Sequence, residues 1–233
     1  MATQSFIDEK LGEVVVHRNA RSRGIRIKPS LTGQLVAIAP PLIPLSLIKL
    51  TVKKSRKDLE KIRINNQLPL YAHGQAIGKS HSLHVVSDDT VEEIAIVTRD
   101  RTIICRIPPD LEPSSPKVQQ AIREYIVKIL RKEAKTYLTR RLAVLAGRHG
   151  YSYAKVRFPH AASRWGSCSS NGTISLNIAL MKLSLEEIDY VLIHELCHTI
   201  EMNHSSRFWQ LVEAADPHYR LHRKTIKNQT PAL

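Results

Sequence analysis

HELCHTIEMNH, residues 194–204, places three histidines and one glutamate within eleven residues. Residues four apart lie one turn up on the same face of a helix, so His194 and His198 can present two imidazoles to one metal ion. Glu195 follows His194 by about 100° around the helix axis, which puts it beside the ion, where a carboxylate serves as general base for a zinc-bound water. The apolar residues VLI before the motif, and the capping box SLEE that begins at Ser184, predict a half-buried helix here.

A catalytic zinc has three protein ligands and one open position, and the sequence offers two candidates for the third ligand, Glu201 and His204. Glu201 stays on the same face, but a straight helix carries it a turn too far along the axis. His204 reaches the ion only if the helix ends first, and the sequence predicts an end at Met202 or Asn203, with Asn203 in the left-handed conformation. We therefore predict His204 as the third ligand and Glu201 as the carboxylate that orients a ligand histidine.

The spacing of the histidines matches the metzincin pattern HExxHxxGxxH. Glutamate stands at position 201, where that pattern has glycine, and no methionine follows Met202 to form a methionine turn. The chain is therefore not a metzincin. A closed structural zinc site would need a fourth protein ligand, and none beyond Glu201 is apparent in the sequence.

The first 112 residues predict a β-rich, basic region with one helix. Strand patterns occur in GEVVVHRN (12–19), RGIRIKPS (23–30) and QLVAIAPP (34–41). Small and apolar residues then recur at helical spacing and predict an amphipathic helix over residues 44–64, at Ile48, Val52, Ser55, Leu59 and Ile62. Three further segments, HSLHVVSD, VEEIAIVTRD and RTIICRIPP, predict a meander of strands.

The proline-rich segment PPDLEPSSP, residues 108–116, predicts a domain boundary, which gives domains of residues 1–112 and 113–233. Beyond it, apolar positions at helical spacing predict a long helix from Pro116 to Leu145, with Gly147 as its stop. YAKVRF and GTISLN predict short strands, with SRWGSCSSNG as the loop between them. We therefore expect an α+β fold in which the long helix backs the HExxH helix.

The chain is strongly basic, with 35 Lys and Arg against 21 Asp and Glu and a net charge of +14. Such an excess favours anionic partners, such as a nucleotide or nucleic acid, but solvated helix and strand faces explain it equally well. Three cysteines at unrelated spacings predict neither a disulfide framework nor a cysteine zinc site. The start lacks a signal-peptide pattern and the most apolar stretch, residues 35–48, contains three prolines, so we expect a cytoplasmic protein without a membrane span.

Three segments resemble the YgjP-like metallopeptidase family: RWGSCSSNGTISLN (164–177), YVLIHELCHTIEMNHSSRFWQLV (190–212) and PHYR (217–220). They are more distantly similar to the SprT-type and other small gluzincin-like zinc proteases. The likeness extends over residues 12–225. It implies a zincin-like domain after the β-rich N-terminal part, with Zn²⁺ at His194, His198 and His204 and with Glu195 as the base.

The resemblance also implies a substrate-binding edge strand beside the HExxH helix, because zincin-like folds bind an extended peptide by strand addition. The candidates on that edge are Thr173, Ile174, Ser175 and Asn177, and those at its entrance are Trp165, Gly166 and Ser167. Cys168, next to them, is either a regulatory thiol or a small packing residue. Four candidates for the group that stabilises the transition state stay open: Arg164, His218, Tyr219 and His222.

The predicted function is a zinc-dependent metallopeptidase in which Glu195 activates a zinc-bound water to attack a peptide carbonyl. A zinc site does not by itself distinguish amide from phosphoryl chemistry, so a metal-dependent phosphohydrolase acting on nucleotides is the first alternative. A nucleic-acid-binding protein with structural zinc is the second. The expected partner is a peptide or protein substrate, with a nucleotide or nucleic acid on the basic surface as a further candidate, and the oligomeric state stays open.

Overall fold

Two units make up the chain, Met1–Pro69 and Leu70–Leu233. The structure is a computed structural model that describes residues 4–29, 35–65, 70–161 and 163–233. Each unit contains both strands and helices, so the α+β fold class predicted from the sequence is confirmed. No helix within the described ranges has the length and apolarity to cross a bilayer.

The first unit, over its described residues, is a four-stranded sheet with two helices. Its elements are β1 (Gln4–Asp8), β2 (Gly12–Arg18), β3 (Arg26–Pro29), β4 (Leu35–Ala39), α1 (Leu45–Lys54) and α2 (Arg56–Asn65). In space the strands run β1-β2-β4-β3, with β2 parallel to β4 and the outer pairs antiparallel. Alternate residues of the two central strands share one buried core with α1: Val14, Val16, Leu35, Ala37, Ile48 and Val52.

The helix predicted over residues 44–64 is two helices, because the backbone leaves helical geometry at Ser55, with φ −95° and ψ 9°. Arg56, the first residue of α2, donates hydrogen bonds from Nε and Nη2 to Asp8 Oδ2 at 3.1 and 2.9 Å, which ties α2 to the end of β1. β1 is an edge strand with mostly exposed residues, and its weak hydrophobic pattern did not predict a strand. The side chain of Ile62, a predicted position of this helix, lies outside the described residues.

The second unit carries the HExxH motif. Its first sheet has the strands β5 (Ala76–Ile77), β6 (His81–Ser87), β7 (Ala95–Arg99) and β8 (Thr102–Ile107), in the spatial order β5-β6-β8-β7. Its second sheet has β9 (Lys155–Arg157), β10 (Gly166–Cys168) and β11 (Thr173–Leu176), in the order β10-β11-β9. The helices are α3 (Pro116–His149), α4 (Leu185–Cys197), α5 (Ser206–Ala215) and α6 (Tyr219–Lys227), with a 3-10 helix at Ile178–Lys182.

The strands β6, β7 and β8 do not form the predicted meander. β7 and β8 form an antiparallel hairpin, but β6 pairs in parallel with β8 because the chain crosses over between β6 and β7. The hairpin turns at Asp100 and Arg101, whose φ angles are both positive, at 45° and 66°, as the tightest hairpin turns require. β8 therefore lies between two strands, and its alternate residues Ile103, Cys105 and Ile107 are buried.

The boundary between the units lies at residues 69–70, whereas the proline-rich segment predicts one at residues 112–113. The reason lies in α3, which shares one hydrophobic core with the sheet that precedes the prolines. Ile103 and Ile107 of β8 belong to the same buried cluster as Val118 of α3. The proline-rich segment is therefore a connection inside the second unit.

α3 is the long helix predicted to back the HExxH helix, and it packs against α4. An ion pair reinforces this contact, since Arg141 Nε of α3 donates to Asp189 Oδ1 of α4 at 2.7 Å. α3 continues past Gly147, the predicted stop, to His149. Gly150 ends it with φ 69°, the left-handed conformation in which glycine caps many helices.

Candidate metal centre

α4 carries the HExxH motif at its C-terminal end, and its start is set by the predicted capping box. Ser184 Oγ accepts a hydrogen bond from the Glu187 backbone N–H at 3.2 Å, and Glu187 Oε2 accepts one from the Ser184 N–H at 2.9 Å. After the exposed Leu185, the apolar residues of the helix are buried: Ile188, Val191, Leu192, Ile193, Leu196 and Cys197. Because both the start and the buried faces of α4 are determined, the motif residues project at defined angles from a fixed helix.

Three histidines converge at the end of α4. One ring nitrogen from each of His194, His198 and His204 lies within 4.8 Å of the others, and the Nε2 atoms of His194 and His204 are 3.1 Å apart. Two nitrogens bound to one tetrahedral zinc at about 2.05 Å are about 3.3 Å apart, so the set fits a zinc ion. Burial, together with the neighbouring histidines, lowers the pKa of His194 to about 3, and burial also lowers the pKa of His198. Both stay neutral, the form of imidazole that binds a metal.

The loop that brings His204 to the centre begins earlier than predicted. α4 ends at Cys197, so the prediction of a helix end at Met202 or Asn203 is wrong. Short turns follow at once, such as the hydrogen bond from the Ile200 N–H to Cys197 O at 3.0 Å. Asn203 is not among the described non-glycine residues with positive φ, so the predicted left-handed conformation is wrong as well. Tight turns, rather than a left-handed cap, reverse the chain.

Glu201 contacts a ligand histidine through its backbone rather than through its carboxylate. Its carbonyl oxygen accepts a hydrogen bond from His198 Nδ1 at 3.0 Å, which orients the ring and leaves Nε2 for a metal. The carboxylate Oε1 instead accepts from the Asn203 N–H at 3.4 Å. The residue predicted to orient a ligand histidine therefore does so with a peptide carbonyl.

Glu195 occupies a tight, buried place beside His194. The residue is 5% exposed, and Oε2 has no hydrogen-bond partner among the described residues. Burial raises the pKa of Glu195 to about 8, against the lowering effect of the positive charge on Arg164. A Cβ atom added at Gly166 would lie 2.5 Å from Glu195 Oε1. Only glycine at that position leaves room for the carboxylate.

Aromatic rings from α5 support the three histidines. The Phe208 ring is fully buried, and its centroid lies 4.9, 4.4 and 4.8 Å from those of His194, His198 and His204. The Trp209 ring stacks on His204 at 5.6 Å. Because α5 begins two residues after the third histidine, its first turn places both rings directly against the centre.

A pocket with a volume of about 200 Å³ adjoins the histidines. The residues that line it are Trp165, Gly166, Tyr190, Val191, His194, Glu195 and Ile226. Tyr190, Val191 and Ile226 were not predicted as site residues. Tyr190 lies one turn before His194 on α4, a spacing from which the sequence could have identified it. Ile226 reaches the pocket because α6 packs on α4, a contact that no local pattern signals.

The second sheet places the predicted substrate strand in its interior. β11 pairs antiparallel with β10 and parallel with β9, so both of its edges are already hydrogen-bonded. Thr173, Ile174 and Ser175 therefore lie on an interior strand rather than on the open edge predicted for them, and Asn177 lies just past the end of that strand. The edge strand of this sheet that contacts α4 is β10, within the segment that the sequence analysis predicts as a loop.

Asn177 has a structural role instead, because it holds the segment that leads into β10. Its Nδ2 donates to Ala161 O and Arg164 O at 2.6 and 2.8 Å, and its backbone N–H donates to Trp165 O at 2.8 Å. The residue is 1% exposed, so these bonds are made away from solvent. Asn177 thereby sets the position of Trp165 and of β10 next to Glu195.

Two arginines act on the centre through their charge. Arg164, one of the four candidates for the transition-state group, faces Glu195 closely enough to oppose the rise of its pKa. Arg223, which the sequence analysis does not single out, contributes to the low pKa of His194 and lies 4.4 Å from the Trp209 ring centre. Positive charge therefore approaches the centre from both the β10 side and the α6 side.

Cys168 at the end of β10 is half-buried, and its Sγ has a weak contact with Ser169 O at 3.5 Å. Burial, with the nearby charge of Glu195, raises the pKa of the Cys168 thiol. A thiol with a raised pKa carries little of the nucleophilic thiolate, which favours the packing role over the regulatory one.

The chain was compared with known protein families, curated proteins and solved structures. A search of curated proteins found no match. Two similar solved structures are metallopeptidase zymogens. Abylysin of Pyrococcus abyssi is 31% identical with a TM-score of 0.36, and the match covers 39% of this chain and 91% of that chain. Jannalysin of Methanocaldococcus jannaschii is 15% identical with a TM-score of 0.35, and the match covers 39% of this chain and 93% of that chain. The model of the YgjP-like metallopeptidase domain matches residues 23–229. Since that match spans most of the 233 residues, the chain belongs to the YgjP-like metallopeptidase family.

Proposed function

We propose that this chain hydrolyses peptide bonds with a zinc ion held by His194, His198 and His204 and with Glu195 as the base. The observation that carries the proposal is the convergence of three imidazole nitrogens within 4.8 Å, beside a buried carboxylate oxygen without a partner among the described residues. Membership of a metallopeptidase family supports it, because such a family implies a divalent metal, typically zinc, and peptide substrates.

Zinc at this centre would polarise the scissile carbonyl and lower the pKa of a water molecule toward neutrality. Glu195 accepts the proton of the attacking water at Oε2 and passes it to the leaving amine. Its ionised form, which alone accepts a proton, is favoured by any cation beside it. Gly166 and the pocket residues enclose the carboxylate, so bulk water does not compete for that proton.

The substrate backbone adds to the free edge of β10. Trp165 O accepts from the N–H of Asn177, the residue after β11, and the Ser169 N–H donates to Thr173 O of β11. Successive residues of a strand point their backbone groups to opposite sides. The N–H and C=O groups of Gly166 and Cys168 therefore face the free edge. An extended peptide paired there by strand addition lies across α4, with one side chain entering the pocket between Trp165 and Ile226.

The test uses the zinc-loaded protein and its Glu195→Gln variant on quenched fluorescent peptides and on nucleoside triphosphates. We expect the wild type to cleave peptides. The variant should keep its zinc and lose about 10²–10⁴-fold in kcat, the usual contribution of general acid–base catalysis. Glu201→Gln is the matched control, because that carboxylate meets only a backbone N–H, and it should keep nearly full activity.

Two results would overturn the proposal. If Glu195→Gln cleaves peptides as fast as the wild type, Glu195 is not the base. Release of phosphate from nucleotides, with no cleavage of any peptide, would assign the centre to phosphoryl chemistry instead.

A further inference from the structure

A second concave site lies in the same unit, apart from the metal centre. It is a groove with a volume of about 730 Å³, within the range of about 300–1,000 Å³ that is typical of small-molecule sites. Its walls are the β5–β6 turn, the β7–β8 hairpin, one face of α3 and Met181 of the 3-10 helix. None of its lining residues also lines the pocket beside Glu195.

The α3 wall is a stripe of residues on one face of the helix, with successive members three to five apart. It runs from Tyr125 through Ile129, Lys132 and Tyr137 to Arg140. At a rise of about 1.5 Å per residue this stripe is about 22 Å long. One helix face therefore supplies apolar, aromatic and cationic groups to the same groove.

The charge of the groove is strongly positive. Four cationic side chains line it, Lys79, Arg101, Lys132 and Arg140, against one carboxylate, Glu133. None of the four has an ion pair with any described residue, although Lys79 Nζ donates a hydrogen bond to Leu183 O.

Glu133 forms no ion pair with these four cations, because its oxygens are bound by other groups of the described residues. Oε1 accepts from Ser80 Oγ at 2.7 Å and lies 2.6 Å from His81 Nδ1. Oε2 accepts from the Lys79 backbone N–H at 3.0 Å. Gly78 packs on the same carboxylate and has no room for a Cβ atom. The only carboxylate among the described lining residues is thus a brace for the β5–β6 turn.

The backbone conformation of the β7–β8 hairpin gives a further indication that the groove is functional. Arg101 has φ 66°, a conformation that is strained for a residue with a side chain and in which a hairpin turn usually has glycine. An arginine occupies this strained position, and its side chain lines the groove. Strain of this kind is a signature of functional sites.

The groove also has an apolar floor with aromatic faces. Tyr125 and Tyr137 are both half-buried, and the Tyr125 hydroxyl lies 3.1 Å from Thr98 Oγ1, which holds that ring in place. Ile129 and Met181 fill the space around them. A ligand for this groove therefore combines a planar or apolar body with several negative charges.

We propose that this groove binds a nucleoside triphosphate, with the base against Tyr125 or Tyr137 and the phosphates on Arg101, Lys132 and Arg140. Arginine forks and lysine ammonium groups are the side chains that bind phosphates most strongly. Aromatic faces stack on any base, so the site selects the triphosphate and a ring rather than one particular base.

The test measures binding of ATP, tripolyphosphate and adenosine to the full chain by calorimetry without divalent cations. We expect ATP to bind more tightly than either fragment. Lys132→Glu and Arg140→Glu should weaken ATP binding by about tenfold or more, the scale of a lost charge-assisted hydrogen bond. Lys135→Glu, the same charge change on the same helix but outside the groove, should weaken it far less.

Arg101→Gly separates binding from folding. Glycine accepts the positive φ of the turn, so this variant should melt at the same or a higher temperature while ATP binding falls. The proposal is overturned if ATP binds no better than tripolyphosphate, if Lys135→Glu matches Lys132→Glu, or if ATP does not bind at millimolar concentration. Tighter binding of a single-stranded RNA oligomer than of ATP would also overturn it, in favour of a nucleic-acid strand.

Discussion

Gly166→Ala is the substitution that most directly tests the arrangement of the metal centre. The added Cβ would lie 2.5 Å from Glu195 Oε1 and 2.8 Å from its Cδ and Cγ. Restoring an ordinary contact of about 3.4 Å requires a movement of about 0.9 Å. Either the Glu195 carboxylate shifts into the adjoining pocket or β10 moves away from α4.

Such a shift should act mainly on turnover. A displacement of about 1 Å at a reacting group can cost about 10²-fold in rate, which is about 2.7 kcal/mol of transition-state stabilisation. We therefore expect kcat to fall by about 10²-fold. The zinc content should be unchanged, because the atoms nearest to the added Cβ belong to Glu195 and not to a histidine ligand. Overpacking should lower the free energy of unfolding by about 1–3 kcal/mol.

The assay is steady-state cleavage of a fluorescent peptide, with zinc measured by metal analysis and stability by denaturant titration. Gly147→Ala is the matched control, because a Cβ there meets nothing within 4 Å, and alanine is the better helix former by up to about 1 kcal/mol. Glu195→Gln provides a second comparison. If Gly166→Ala acts through the Glu195 carboxylate, adding it to the Glu195→Gln variant should lower kcat almost no further. An unchanged kcat in a folded Gly166→Ala protein would refute the reasoning.

Three other predictions follow from the same structure. His204→Ala should weaken zinc binding, measured by chelator competition, by more than the roughly 10–100-fold that is lost when a residue orienting a ligand is removed. An unchanged zinc affinity would show that His204 is not a ligand. Ile226→Ala enlarges the pocket and should shift the cleavage profile of a peptide library toward bulkier apolar residues by roughly tenfold, whereas an unaltered profile would show that no substrate side chain enters there. Burial raises the pKa of Asp8, but hydrogen bonds from Arg56 and two backbone amides outweigh it and lower that pKa. The stabilisation is therefore present above the unfolded value near 3.8 and is lost as the pH falls through the lower folded value, so acid should destabilise the first unit over that range. Hydrogen exchange in this unit should depend less on pH in Asp8→Asn than in the wild type, and an equal dependence in both proteins would contradict the prediction.

The local chemistry of the centre was predictable from the sequence. His194 and His198 are four residues apart, and the capping box at Ser184 determines where their helix begins, so helical geometry alone places both imidazoles on one face. The third histidine was also identified correctly as part of the convergent set, although the route of the chain to it was not. Periodicity likewise predicted α3, because a long amphipathic stripe is the strongest signal a sequence carries.

The tertiary structure alone decided which strand forms the sheet edge and which residues line the pocket, because both depend on contacts between residues that are distant in the sequence. β10 has three residues, too few for an alternating pattern, and whether β10 or β11 forms the edge depends on which neighbours complete the sheet. Ile226 lines the pocket beside Glu195 only because α6 packs on α4, and Gly166 meets that carboxylate only because the sheet lies against the helix. The sequence by itself determined which groups can bind a metal and move a proton, since those depend on residue type and helical spacing. The space around those groups was decided by packing, because close contacts arise only when separate elements come together.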